Sequence, residues 1–232
     1  YFPTEHVQFL HPTVKSKGED WNFYNPGAFY PAQIGEVYGD RYQFLGKLGY
    51  GGHSIIWLAY QRLKAIATAH QRPSHIREPS DYFTIPTTHG EHLCLVHEPL
   101  GISIETFRDS LPERKLSEPF LKAILKHLLL ALEVLHTEPK IIHTDLQARN
   151  LQLRIQGLFV LQDFERNELA HPSPRKLVQG HLTYKSRGLR QDQNPGTPVL
   201  CDFGEARCGL EEYTGFIQPP VYRGPEPLLK TS

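Results

Sequence analysis

His143-Thr144-Asp145-Leu146-Gln147-Ala148-Arg149-Asn150 sets a carboxylate and a carboxamide in the spacing H-x-D-x-x-x-x-N. A carboxylate so placed can take or orient the proton of an attacking hydroxyl, and an amide oxygen five residues on can bind a divalent cation. Asp202-Phe203-Gly204 offers a second hard oxygen ligand for such a cation, on a turn that Gly204 lets bend sharply. Arg223-Gly224-Pro225-Glu226 follows downstream. Each element alone is weak, since a polar loop after a helix is commonplace. Their succession in this order points to phosphoryl transfer.

Asp163-Phe164-Glu165 competes with Asp202 for the metal and lies closer to Asn150 in sequence. It has Glu165 where glycine is needed, and no Pro-Glu element follows at a suitable distance. Asp202 is therefore the expected ligand. Asp163 is expected to be a solvated acid, with Glu165 and Glu168, in an inserted segment.

These loops need elements to hold them. Tyr42, Phe44 and Leu48 lead to the turn Gly49-Tyr50-Gly51-Gly52-His53-Ser54, and Ile55-Ile56-Trp57-Leu58-Ala59 returns as a β-rich strand. Glycines there let backbone N–H groups approach phosphates, although they serve an ordinary tight turn equally well. Residues 63–70 read as a short helix. Leu93-Cys94-Leu95-Val96 reads as a buried strand ended by Pro99 and Gly101. Glu98 and Leu100 then stand where a hinge would offer backbone groups to adenine; an ordinary strand end fits them as well.

The clearest helix covers 118–136. Ser117 suits its N-cap and Pro119 its first turn. Leu121, Ile124, Leu125, Leu128, Leu132 and Leu135 share one face, and Leu129 and Leu130 widen it toward burial on more than one side. Ile141-Ile142 and residues 151–155 flank the polar loop. A polar, Pro- and Gly-bearing stretch runs from 156 to 198, and Val199-Leu200-Cys201 is a final short strand.

The 232 residues suffice for one large domain or two small lobes around a cleft, and 39% apolar content can bury a core. A net charge of zero argues against bulk-charge attraction to nucleic acid or membrane. Cys94, Cys201 and Cys208 have no CxxC spacing, and His70/His75 and His89/His92 lack partners at metal-ligand spacing. No membrane-length apolar run or signal-peptide h-region is evident, so an intracellular protein is expected. The chain has no methionine, so Tyr1 is not expected to be a natural start and the sequence reads as a fragment.

The chain resembles the SR-protein kinase (SRPK-like) family of serine/threonine protein kinases, in a fungal form. The resemblance rests on Pro26-Gly27-Ala28-Phe29-Tyr30-Pro31 with Ile34-Gly35, and on Leu48 through Ser54 followed by Trp57-Leu58-Ala59. It rests also on His143-Thr144-Asp145, on Pro172-Ser173-Pro174-Arg175-Lys176 within a long insert, and on Cys201 through Arg207. Thr214-Gly215, Ile217-Gln218-Pro219 and Val221-Tyr222-Arg223 complete it. It implies an α+β, bilobal protein-kinase-like fold. A lead-in at 1–40 would precede a small β-rich N-lobe at 41–100, partly deleted. A truncated helical C-lobe at 101–232 would carry the insert at about 156–198. It implies ATP and Mg²⁺ as cofactors and Asp145 as the catalytic residue. Asn150 and Asp202 would hold the metal, with Leu48, Gly49, Gly51, Ser54, Ile56, Glu98 and Leu100 at the nucleotide. The implied partner is an Arg/Ser-rich, splicing-factor-like protein substrate. A monomer in cytoplasm and/or nucleus is implied, without direct nucleic-acid or membrane contact.

Departures from the family pattern bear on activity. Between the glycine turn and the hinge the only lysine is Lys64, in what reads as a helix end, and Glu78 precedes Pro79. The family's strand lysine and helix glutamate are therefore expected to be missing. Gln147 stands where the family has lysine; an amide can donate a hydrogen bond but cannot offset phosphate charge. Phe216 and Pro220 stand where acids are expected. A serine/threonine kinase of impaired activity is expected, the alternative being a pseudokinase that serves as binding module or scaffold.

Overall fold

β-Branched and aromatic residues on both sides of the glycine turn form an antiparallel sheet of β1 (Val37–Tyr38), β2 (Tyr42–Tyr50) and β3 (Ile55–Gln61), in that order. Tyr50 lies opposite Ile55, as the expected hairpin requires. The hairpin β4 (Asp81–Thr87) and β5 (Gly90–Val96) comes next, followed by β6 (Leu100–Ser103), α1 (Ile104–Ser110) and α2 (Glu118–Thr137). After β7 (Ile141–Ile142) and a 3-10 turn, Ala148–Asn150, lie β8 (Leu151–Arg154) and α3 (Phe159–Ala170). Strands β9 (Arg175–Val178), β10 (His181–Tyr184), β11 (Pro198–Leu200) and β12 (Arg207–Cys208) complete the order.

The structure is a computed structural model that describes residues 7–15, 28–51, 54–61, 75–87, 90–137, 139–178, 180–191, 194 and 196–225. Lys64, Glu226, Gly52, His53, the 63–70 segment and the lead-in residues Pro26 and Gly27 lie outside the described residues. The chain divides into two compact units. The first collects Tyr1–His70, Pro79–Val96 and Gly157–Arg190; the second collects Gln71–Glu78, His97–Gln156 and Gln191–Ser232.

In the first unit, Leu45 and Leu58 are buried with Phe164 of α3, and Leu48, Leu161 and Leu189 pack around them. The polar 156–198 stretch is thus not plain loop. Val160, Phe164 and Glu168, spaced i, i+4, i+8, form the buried face of α3. This corrects the expectation of a solvated acidic run: Asp163 is ion-paired to Arg190 at 3.1 Å, and Glu168 is only 1% exposed. The β4–β5 hairpin alternates, with Phe83 stacked on Tyr38 and Tyr42 from one face. Leu93 and Leu95 point to the other face and are exposed, so the expected buried strand is buried on one side only.

The second unit is built around Ile76, Ile104, Ile124, Ala131, Leu135, Leu151, Leu153 and Leu200. Burying each larger aliphatic chain contributes roughly 1.5–3 kcal/mol. Ser103 caps α1 by accepting the Thr106 N–H at 3.2 Å, a contact worth about 1 kcal/mol. Helix α2 packs against β11, burying Ile124, Ala131 and Leu135. Leu121, Leu125 and Leu129 are exposed, so among the described residues α2 is covered on one side, contrary to expectation. Strands β6, β8 and β11 form an antiparallel sheet in the order β11-β8-β6, and β7 pairs with β12. Val199-Leu200 ends in Cys201 as expected but is not the final strand, since β12 follows. These two pairings place the loop 143–150 beside the turn 202–204.

Candidate active site

The loop between β7 and β8 is fixed from below by a buried histidine. His143 is 1% exposed, its Nε2 lies 2.9 Å from the Cys201 carbonyl, and its ring meets Phe203 at 5.0 Å. Thr144, next in sequence, has a left-handed backbone with φ of 62°, costly for a β-branched residue. Its hydroxyl donates to the Glu205 carbonyl at 2.6 Å, and its own carbonyl accepts the Gln218 N–H at 2.8 Å. His143 and Thr144 therefore grip the chain at Cys201 and Glu205, on either side of Asp202-Phe203-Gly204. Asp202 itself is left-handed, with φ of 64°, and its side chain is exposed.

The carboxylate of Asp145 is half-buried and ringed by amides. Gln147 Nε2 lies 2.8 Å from both of its oxygens. Asn150 Nδ2 donates to Asp145 Oδ2 at 2.8 Å and to the Asp145 carbonyl at 2.9 Å. A carboxylate offers about four acceptor positions, so these three contacts leave room for one hydroxyl donor. With Nδ2 of Asn150 committed, its Oδ1 is the oxygen left for a cation. The Asn150 carbonyl accepts the Cys201 N–H at 2.8 Å, tying the amide to the residue before Asp202. An amide oxygen and an exposed carboxylate suit a hard cation such as Mg²⁺. Among the described residues no group of three or more His, Cys, Asp or Glu side chains could hold a metal, so this pair differs from a dedicated metal cage. Burial pushes the Cys201 thiol up to about 11, so it stays neutral beside Asp202.

Asp145, Asn150 and Asp202 are thus joined within the second unit. Glu98 and Leu100 belong to it too. Leu100 is buried against Val199 and Cys201, and Glu98 is ion-paired to Arg154 of β8 at 2.5 Å. Leu48, Gly49, Gly51, Ser54 and Ile56 belong to the first unit. There the Gly51 N–H donates to the Ser54 carbonyl at 2.7 Å and closes the turn. Gly49 has an ordinary negative φ, and a Cβ on it would meet open space, so nothing in the fold around it demands glycine.

Two contributors escaped sequence reasoning. Thr144 was legible only as a family mark, since its partner Glu205 is distant in sequence. Tyr222 was seen as part of the downstream motif, yet its hydroxyl accepts the Ala148 N–H at 3.4 Å and touches the loop itself.

No protein-family model matches the chain. A serine/threonine protein kinase of Aspergillus fumigatus is 34% identical over 258 residues, covering 99% of this chain and 62% of the relative. The SRPK serine/threonine-protein kinase of Physarum polycephalum is 30% identical over 60% of this chain and 39% of its own length. Protein kinase dsk1 of Schizosaccharomyces pombe is 32% identical over 61% of this chain and 32% of its own length. The chain therefore spans about three fifths of the Aspergillus relative and less of the others. A crystal structure of a kinase domain superposes with a TM-score of 0.58 at 17% identity, covering 90% of this chain and 63% of that one. The fold is that of a protein kinase domain.

Proposed function

We propose, from a chain that belongs by descent with the SRPK-like serine/threonine protein kinases, that it transfers the γ-phosphate of ATP to serine hydroxyls of Arg/Ser-rich proteins. Support comes above all from the Asp145–Asn150–Cys201 linkage, which sets a proton acceptor and two cation ligands on one continuous hydrogen-bonded frame. Asp145 orients the serine hydroxyl and receives its proton as the oxygen bonds to phosphorus and the bond to the departing diphosphate breaks. Asn150 Oδ1 and the Asp202 carboxylate would hold Mg²⁺, which when bound would offset charge on the phosphates. For Leu48, Gly49, Gly51, Ser54 and Ile56 in the first unit, and for Glu98 and Leu100 in the second, the support for a nucleotide-binding role is the family resemblance. We place the enzyme in the cytoplasm or nucleus as a monomer whose substrates are splicing-factor-like proteins. Among the described residues no helix is long and apolar enough to cross a membrane.

Gln147 favours a second reading. It occupies both Asp145 oxygens yet brings no positive charge, so transfer by this chain is slow, and a pseudokinase scaffold is the limiting case. The test is phosphorylation of an Arg/Ser peptide with Mg²⁺-ATP. Slow transfer lost in Asp145→Asn and raised by Gln147→Lys supports the kinase. Undetectable transfer in both the native chain and Gln147→Lys, with nucleotide binding indifferent to Mg²⁺, supports the scaffold. Turnover at the level of an intact kinase contradicts the impairment.

A further inference from the structure

Away from the catalytic loop, the second unit brings a pair of nitrogen ligands face to face. His75 has no partner at ligand spacing in its own stretch of sequence, and it finds one 52 residues on, in α2. Its Nδ1 lies 2.9 Å from Nδ1 of His127, with ring centroids 4.9 Å apart and ring planes at 59° to one another. Both rings are half-buried, so water reaches them.

Each histidine stands on backbone that other contacts have already fixed. The His75 carbonyl accepts the Leu200 N–H at 2.9 Å, and the Arg77 N–H donates to the Leu200 carbonyl at 2.8 Å, which pairs this stretch with β11. His127 sits between Ile124 and Ala131, two residues that anchor the buried face of α2. Ligands held on regular backbone lose little freedom when they capture an ion, whereas loop ligands must first be ordered.

The separation of the two nitrogens selects among ions. Nitrogens bound at about 2.0–2.1 Å to one metal stand about 2.9 Å apart across a right angle, and about 3.3 Å apart across a tetrahedral one. The first arrangement belongs to square-planar or tetragonal Cu²⁺ and Ni²⁺, the second to Zn²⁺. Mg²⁺ takes oxygen ligands and is no competitor here. Without an ion, 2.9 Å is also an ordinary N–H···N hydrogen bond, one Nδ1 donating to the other. On capture of an ion the donor ring gives up its Nδ1 proton and takes one from solvent at Nε2. Each imidazole stays neutral, each Nδ1 lone pair faces the ion, and no net proton is released. Burial first, and then His75, Lys126 and Arg154, lower the proton affinity of His127, which keeps its ring neutral near pH 7. Lys126 and Arg154 also repel a cation. Arg154 is ion-paired to Glu98 at 2.5 Å, however, and Lys126 is exposed to water and screened.

We propose that His75 and His127 form a two-histidine site for Cu²⁺ or Ni²⁺, completed by water, that ties α2 to the stretch paired with β11. Among the described residues no third His, Cys, Asp or Glu joins them, so water fills the remaining positions. The site shares no residue with Asn150 and Asp202, and it stands whether or not the chain transfers phosphate.

The test is Cu²⁺ titration of the full, untagged chain in buffer containing Mg²⁺, read by electron paramagnetic resonance and by thermal unfolding. One Cu²⁺ with two imidazole nitrogens in its hyperfine pattern is expected, with Tm raised by about 3–6 °C at about ten times the dissociation constant. His75→Ala and His127→Gln should each weaken binding about tenfold or more and remove the two-nitrogen pattern. His136→Ala, an exposed change in the last turn of α2, should leave both readouts unchanged. Undiminished binding in either His75→Ala or His127→Gln would mark the ion as adventitious and overturn the site. Zn²⁺ binding more tightly than Cu²⁺ and Ni²⁺ would overturn its geometry. Should a variant fail to fold, the nitrogen count on the native chain decides, and fewer than two imidazoles overturns the site.

Discussion

Thr144 offers the sharpest test of how the catalytic loop is held. A β-branched residue at φ of 62° carries a conformational cost of about 1–2 kcal/mol relative to an ordinary backbone. The 2.6 Å bond from its hydroxyl to the Glu205 carbonyl returns about 0.5–1.5 kcal/mol. Thr144→Val keeps the branched Cβ and loses the donor, so it should destabilise by about 1 kcal/mol. Thr144→Gly also loses the donor but is freed of the left-handed cost. Glycine's extra unfolded-state freedom takes back about 0.5–1 kcal/mol, leaving this variant close to wild type. The order of stability is then wild type and glycine together, with valine below. At an ordinary strand or loop position glycine would be the worst of the three. Thermal unfolding should place valine about 2–4 °C lower for a domain of this size. Exchange of the Gln218 amide, which is bonded to the Thr144 carbonyl, reports the same order locally. Valine as stable as wild type refutes the bond, and glycine below valine refutes the strain.

Two further outcomes follow from titration and burial. Burial, and then the neighbouring His75, Lys126 and Arg154, lower the proton affinity of His127, while burial and then Arg77 lower that of His97. The folded state therefore prefers both imidazoles neutral. Stability of the second unit should be complete above pH of about 6.5 and fall as the pH drops below it. His127→Gln should flatten that fall, and an unchanged pH profile would count against it. For the cysteines, alkylation at pH 8 should mark exposed Cys208 first. Cys201, pushed up to about 11 by burial, should react only on unfolding; prompt labelling of Cys201 in the folded chain contradicts its placement.

The parts of the molecule legible in sequence are those whose signal is local. The β2–β3 hairpin announces itself by glycines between β-rich runs, and α2 by apolar residues at helical spacing. Asp145 and Asn150 stand in one loop at a spacing their hydrogen bond explains, since Asn150 Nδ2 reaches back to both the side chain and the carbonyl of Asp145. Helix α3 was hidden for a physical reason. Its buried face ends in Glu168, and a carboxylate is rarely buried without partners, so Val160, Phe164 and Glu168 at i, i+4, i+8 do not read as an apolar stripe. The partners that satisfy it, Ser173 and Arg187, become visible only once the segment folds back on itself. The exposed half of β5 is hidden likewise, because a run such as Leu93-Cys94-Leu95-Val96 does not show whether both faces of its sheet are covered.

Long-range backbone partners explain the rest. His143 and Thr144 find carbonyls 58 and 61 residues away, and carbonyls have no residue identity to read. Threonine suits this position because its hydroxyl donates without bringing a charge that would need an anion nearby. An arginine in its place would reach farther but would need a carboxylate or phosphate partner to justify burying part of its charge. The acids that could serve, Glu205 and Glu211, are exposed, and Glu205 contributes only its carbonyl to Thr144. The grip on Asp202 therefore runs from an imidazole nitrogen and a hydroxyl to two backbone carbonyls, with no carboxylate in either contact. Added salt should leave it intact, whereas loss of either donor should loosen the whole 201–205 turn.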